Sequence, residues 1–175
     1  LGRVCFPREH PAVAVPCESL KGTFDVQQIP YDAAGVVRLD ALEELLTPDT
    51  RLICVMQVNN ESGAVMPLCE IAQLRDRLCP QAMLHVDGVQ GFMRLPVDMR
   101  ALGIDSYALS GHKIHGPKGI GALVMGPRMR VAARMLGGGQ EKALRSGTEN
   151  TPGIAGLLAA IETYPRDNSM RAVKL

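Results

Sequence analysis

Apolar residues fall along the chain in short blocks parted by polar turns, and two spacings alternate in them. "RLICVMQV" (51–58), "QAMLHVD" (81–87), "DSYALS" (105–110) and "KGIGALVM" (118–125) have the length and apolar content of strands. Between the first two, "MPLCEIAQLRDRL" (66–78) repeats its apolar positions at helical spacing, with Pro67 suited to the first turn. Upstream, residues 21–50 predict a short strand, a polar turn and a helix; Asp40 is placed to cap that helix, with Glu43 three positions on as in a capping box. "TPGIAGLLAAIETY" (151–164) predicts a mostly apolar helix. Strands with an intervening helix favour an α/β sheet over a helical bundle.

That order directs the search for chemistry, because open α/β sheets place ligands beyond the carboxyl ends of their strands. Asn59 and Asn60 follow the first clear strand, Asp87 and Gln90 the second, and Ser110, His112 and Lys113 the third. Their recurrence at strand ends says more than any one of them.

Composition removes several classes of partner. Lys and Arg total 19 against 18 Asp and Glu, so a net charge of +1 gives no general pull toward nucleic acid. Three Phe and three Tyr, not interleaved with basic clusters, make no stacking surface for it either. Most charges, including "RDR" at 75–77, read as solvated surface. No apolar stretch reaches membrane-spanning length. Five cysteines, odd in number and without a CxxC pair, fit a reducing compartment and a cytoplasmic location; Cys54 and Cys69 are expected to be buried as small hydrophobes. Phosphate-loop and dinucleotide glycine motifs are missing. His112 and His115 have HxxH spacing, but without an HExxH or compact cysteine pattern no metal site is expected.

A lysine-centred cofactor site accounts for more of these residues together. An amine condenses with a carbonyl compound such as pyridoxal phosphate, whose pyridine ring then acts as an electron sink. Lys113, following His112 in "SGHKIHGPKG" (110–119), is the better candidate; Lys118 reads as support for the next loop. Asp87 is placed to hold a proton on the pyridine nitrogen, although a turn acid is the plainer alternative. Gln90 and Asn59 can reach a ring oxygen, or hold polar turns together. Ser110 and His112 can donate to a phosphate, or support the loop. Arg145, Ser146, Gly147 and Thr148 form a second candidate anion-binding segment.

The motifs "EHPAV" (9–13), "VNNESGAVMP" (58–67), "HVDGVQ" (85–90), "SGHKIHGPKGIGAL" (110–123) and "GGGQEKALRSGTENTPG" (137–153), in that order, resemble cysteine desulfurases. These are fold-type I pyridoxal-phosphate enzymes related to class V aminotransferases. The resemblance implies a mainly parallel sheet flanked by helices, with residues 1–160 forming part of the large cofactor-binding domain and 161–175 a helical segment leading toward a further region. It implies that Lys113 carries pyridoxal 5'-phosphate covalently, that Asp87 meets the pyridine nitrogen, and that His10 stacks on the ring and assists proton transfer. Asn59 and Gln90 resemble the groups near the ring hydroxyl, and Ser110 and His112 those at the phosphate. Thr148 resembles a threonine that reaches the phosphate of a neighbouring subunit, implying a homodimer.

The implied reaction takes L-cysteine to L-alanine, leaves a persulfide on an enzyme cysteine and passes the sulfur to an iron-sulfur scaffold or another acceptor. None of the five cysteines occupies the position expected for that thiol, after the "RSGT" segment, and Lys142 stands where the pattern often has arginine. The chain starts without methionine and ends in "YPRDNSMRAVKL", which reads as part of a helix, so further sequence is expected on both sides and the chain alone is expected to be inactive. A selenocysteine lyase, another class V aminotransferase and a noncatalytic cofactor-binding or interaction fragment are the alternatives. Product analysis and the Lys113-dependent absorbance separate them.

Overall fold

The computed structural model, which describes residues 1–165, places a strand in each of the four apolar runs: β3 (Thr50–Met56), β4 (Met83–Asp87), β5 (Ser106–Ser110) and β6 (Gly121–Met125). Two short strands, β1 (Arg3–Phe6) and β2 (Asp25–Gln28), complete the sheet. Its order is β2-β1-β3-β4-β5-β6, parallel from β2 through β5, with β6 antiparallel to β5. Helices α1 (Pro11–Glu18), α2 (Leu39–Leu45), α3 (Leu68–Leu78) and α4 (Thr151–Thr163) follow β1, β2, β3 and the late glycine-rich turn. The α/β class is the one the apolar pattern predicts, and the mostly parallel sheet flanked by helices is the one the resemblance implies.

Strand alternation assigns each residue to a face. Cys5, Ile53, Val55, Leu84, Val86, Tyr107 and Leu109 point into the main core, where α2 contributes Leu42 and α3 contributes Leu68, Ile71 and Ala72. The intervening residues Val4, Phe6 and Cys54 point the other way and pack on Cys17 of α1. Met56, Asp87 and Ser110 share the parity of Cys54, His85 and Ser106, so α1 and the polar strand ends lie on one side of the sheet. On that side the His85 ring and the Ser106 hydroxyl meet at 2.8 Å, and burial lowers the His85 pKa.

Three expectations are corrected. Arg38, with extended backbone, is the N-cap of α2; Asp40 lies inside the first turn, paired with Arg38, so no capping box forms. Arg75 of the "RDR" cluster is 1% exposed. It points inward from α3 to Asp105 (3.3 Å) and the carbonyls of Ala82 and Gly103, while Arg128 donates to both Asp105 oxygens at 2.9 Å. A buried charge persists only when paired in this way. Cys69 is exposed, whereas Cys54 is buried as expected.

Helix α4 passes through residue 160 without a break and ends at Thr163; from residue 166 onward the expected helical segment lies outside the described residues. Among the described residues no helix is long and apolar enough to cross a membrane.

Candidate active site

The sheet grows from β1 to β2 in one direction and from β3 to β6 in the other, so β1 and β3 flank a topological switch point, where open sheets bind ligands. A cavity of about 350 Å³ opens at these carboxyl ends. It is lined by His10 and Ala12 after β1, Met56 at the end of β3 and Asn60 after it, Asp87 at the end of β4 with Val89 and Gln90 in the turn that follows, and Ser110 at the end of β5 with His112 and Lys113 just after it. Of the eight residues to which the resemblance gives a role, six therefore converge: His10, Asp87, Gln90, Ser110, His112 and Lys113.

Each has a local cause for its place. His10 caps α1, its Nδ1 accepting from Ala12 N at 3.1 Å, with Pro11 at the first helical position. That bond leaves the ring proton of the neutral imidazole on Nε2. Asp87 is buried, and its Oδ1 accepts from Val89 N at 2.9 Å. Gly88 allows the tight turn because Tyr107 lies against it: a Cβ there would meet Tyr107 Cζ at 1.8 Å. Tyr107 donates to Gln57 Oε1 at 2.6 Å.

Lys113 stands in a single 3₁₀ turn, Gly111–Ile114, directly after β5. Ile114 anchors the turn in a small cluster with Ala160 and Tyr164, supported by Phe92, Met93 and Leu157. His115 closes the turn in the left-handed region (φ 66°), its ring stacked on Tyr164 at 5.8 Å. His112 points elsewhere, its Nδ1 2.8 Å from Ser110 Oγ, so the HxxH pair does not converge.

Asn59 and Thr148 are not brought into the cavity. Asn59 Oδ1 accepts from Glu61 N, Ser62 N and Ser62 Oγ, closing the turn that presents Asn60. Thr148 is exposed on the segment after the Gln140–Ala143 turn. That segment is braced where Ser146 Oγ donates to Gly138 O and Gly147 N to Gln140 Oε1, and Arg145 donates to Ser146 O.

Glu9 was not singled out in the sequence. Its Oε1 accepts from Met56 N at 2.7 Å, tying the His10 loop to the end of β3, and its Oε2 is buried without a partner. Burial, with the nearby Asp87 charge adding to it, pushes the Glu9 carboxyl up to about 8. Its position beside His10 in "EHPAV" was the one available signal.

The aminotransferase class-V family model matches residues 4–174. A cysteine desulfurase of Sinorhizobium fredii is 41% identical over 157 residues, covering 88% of this chain and 40% of that protein. A solved NifS-like protein superposes with a TM-score of 0.89 at 36% identity, covering 97% of this chain and 47% of that one. A second, described as SspA in complex with cysteine, gives 0.86 at 37% identity over 94% of this chain and 48% of that one. The chain thus spans less than half the length of these relatives. It belongs to the aminotransferase class-V family and is a relative of the cysteine desulfurases within it.

Proposed function

We propose that the full-length protein is a pyridoxal-phosphate-dependent cysteine desulfurase. The observation that carries this reading is the convergence of Lys113, Asp87 and His10 on one cavity from three different strand ends. The donor set fits the cofactor: an amine for its aldehyde, a buried carboxylate for its ring nitrogen, and a hydroxyl and an imidazole for its phosphate. The cavity volume lies within the usual small-molecule range. When bound, the cofactor supplies an electron sink for the substrate's α-carbon.

The chain's own groups have distinct tasks in this reading. Lys113 would hold the cofactor, and its amine would be the group placed to move a proton at the substrate's α-carbon. Asp87, held by Val89 N, keeps the ring nitrogen protonated. His10 covers the ring and offers its Nε2 toward the reacting atoms. Gln90 reaches the ring hydroxyl; Asn59 serves the same region by shaping the turn that presents Asn60. Ser110 and His112 take the phosphate, and Thr148, exposed, reaches the phosphate of a second subunit in a homodimer.

Sulfur transfer needs a thiol at the cavity, and no cysteine among the described residues lines it. The transfer cysteine is therefore none of Cys5, Cys17, Cys54, Cys69 and Cys79. Attack by that thiol on the substrate sulfur forms an S–S bond and breaks the C–S bond; protonation of the carbon then gives L-alanine. The persulfide passes to an iron-sulfur scaffold or another acceptor in a reducing, cytoplasmic compartment.

Incubation of the reconstituted full-length protein with L-cysteine is expected to give L-alanine and protein-bound persulfide in equal amounts before an acceptor is added. Formation of neither product overturns the reading.

A further inference from the structure

Arg94 lies outside the cavity lining, yet it joins two of the loops that build it. Its Nη1 donates to Gln90 O at 2.7 Å and its Nη2 to Lys113 O at 2.6 Å. Gln90 belongs to the turn after β4 and Lys113 to the 3₁₀ turn after β5. One planar guanidinium thus fixes the spacing of two backbones that each present a cavity side chain.

The bond to Lys113 O spans 19 positions of sequence and ties the later turn to the earlier one. The same two turns also touch through Phe92 and Met93 packing around Ile114. Apolar packing sets their distance loosely; the charge-assisted pair sets the height and direction of the Lys113 backbone. Arg94 is itself anchored, its N–H donating to Gly91 O at 2.9 Å.

We propose that Arg94 is a positioning residue for Lys113, holding the lysine's backbone so that its amine meets the cofactor aldehyde at the angle the covalent linkage needs. The proposal rests on Lys113 being the cofactor-bearing residue. It separates two roles within one loop: Ile114 keeps the turn folded, and Arg94 aims it.

The test uses the full-length protein with pyridoxal phosphate, reading cofactor affinity and the pH midpoint of the Lys113-linkage absorbance. Arg94→Met is expected to weaken cofactor retention about tenfold, the scale of one lost charge-assisted hydrogen bond, and to move the pH midpoint. Arg94→Lys, which keeps the charge but lacks the two-pronged fork, is expected to recover part of both. Arg128→Met removes four side-chain hydrogen bonds, against the two made by the Arg94 side chain, at the opposite end of the sheet, and is expected to lower stability while leaving affinity and midpoint unchanged. If both Arg94 variants match the wild type in affinity and midpoint, the proposal is overturned. Should Arg94→Met not fold, Arg94→Lys decides alone, a wild-type midpoint and affinity again overturning it. A wild type that forms no linkage absorbance fails earlier and strikes the cofactor assignment itself.

Discussion

Glu9 holds the one buried side-chain oxygen left without a partner among the described residues, and its surroundings give it a pH signature. Burial keeps its carboxyl protonated in the fold up to about 8, whereas an unfolded chain ionises it near its ordinary 4.5. The unfolded state therefore binds fewer protons between those values. The stability associated with the neutral acid is complete below 4.5 and drains as pH rises through about 8. Glu9→Gln keeps an acceptor for Met56 N and removes the ionisation. It is expected to melt a few degrees above the wild type at pH 8 and level with it at pH 4 in thermal denaturation. At this scale the sequence was legible wherever a polar residue closes a strand, as Asp87 and Ser110 do, or stands in the turn just after it, as Lys113 does. In "VNNES" the expectation fell on Asn59, whereas in the folded turn the Asn59 carbonyl takes three donors and Asn60 lines the cavity.

Among elements, the turn after β4 depends on Gly88 lying flat against Tyr107, whose hydroxyl also meets Gly88 O at 3.3 Å. Gly88→Ala forces a Cβ into that ring, and is expected to cost about 1–3 kcal/mol in denaturant titration, as overpacking does. Pairing it with Tyr107→Ala makes room for the methyl, so the double variant should lose less than the sum of the single ones. Strands β3 to β6 and helices α3 and α4 could be read from their apolar runs, although β6 is exposed along its length and α4 buries only Gly153 and Ala160. Helix α1 could not: it has eight residues, two of them proline, and buries only Cys17. The capping of α2 was misjudged because spacing alone cannot tell which residue leaves the helical backbone; Arg38 does, and Asp40 pairs with it. Arg75 was misjudged because its partner Asp105 is 30 residues away, and a run of charges looks solvated until the distant carboxylate is placed.

The whole molecule separates stability from chemistry along the strand axis. The Arg75–Asp105–Arg128 network sits at the start of β5, and the cavity lies past the strand's other end. Which strand ends would meet followed from their order in the sequence. That α1 joins them on the same face followed only from the β2-β1-β3 reversal, which no local pattern encodes. The central claim is that this cavity holds pyridoxal phosphate on Lys113. The most direct test incubates the full-length protein with the cofactor, reduces it with borohydride and maps the modified peptide by mass spectrometry. The account predicts a single phosphopyridoxyl group on Lys113, lost with its absorbance in Lys113→Ala. Modification of Lys118 instead, or no modified lysine in a protein that binds the cofactor, would contradict it.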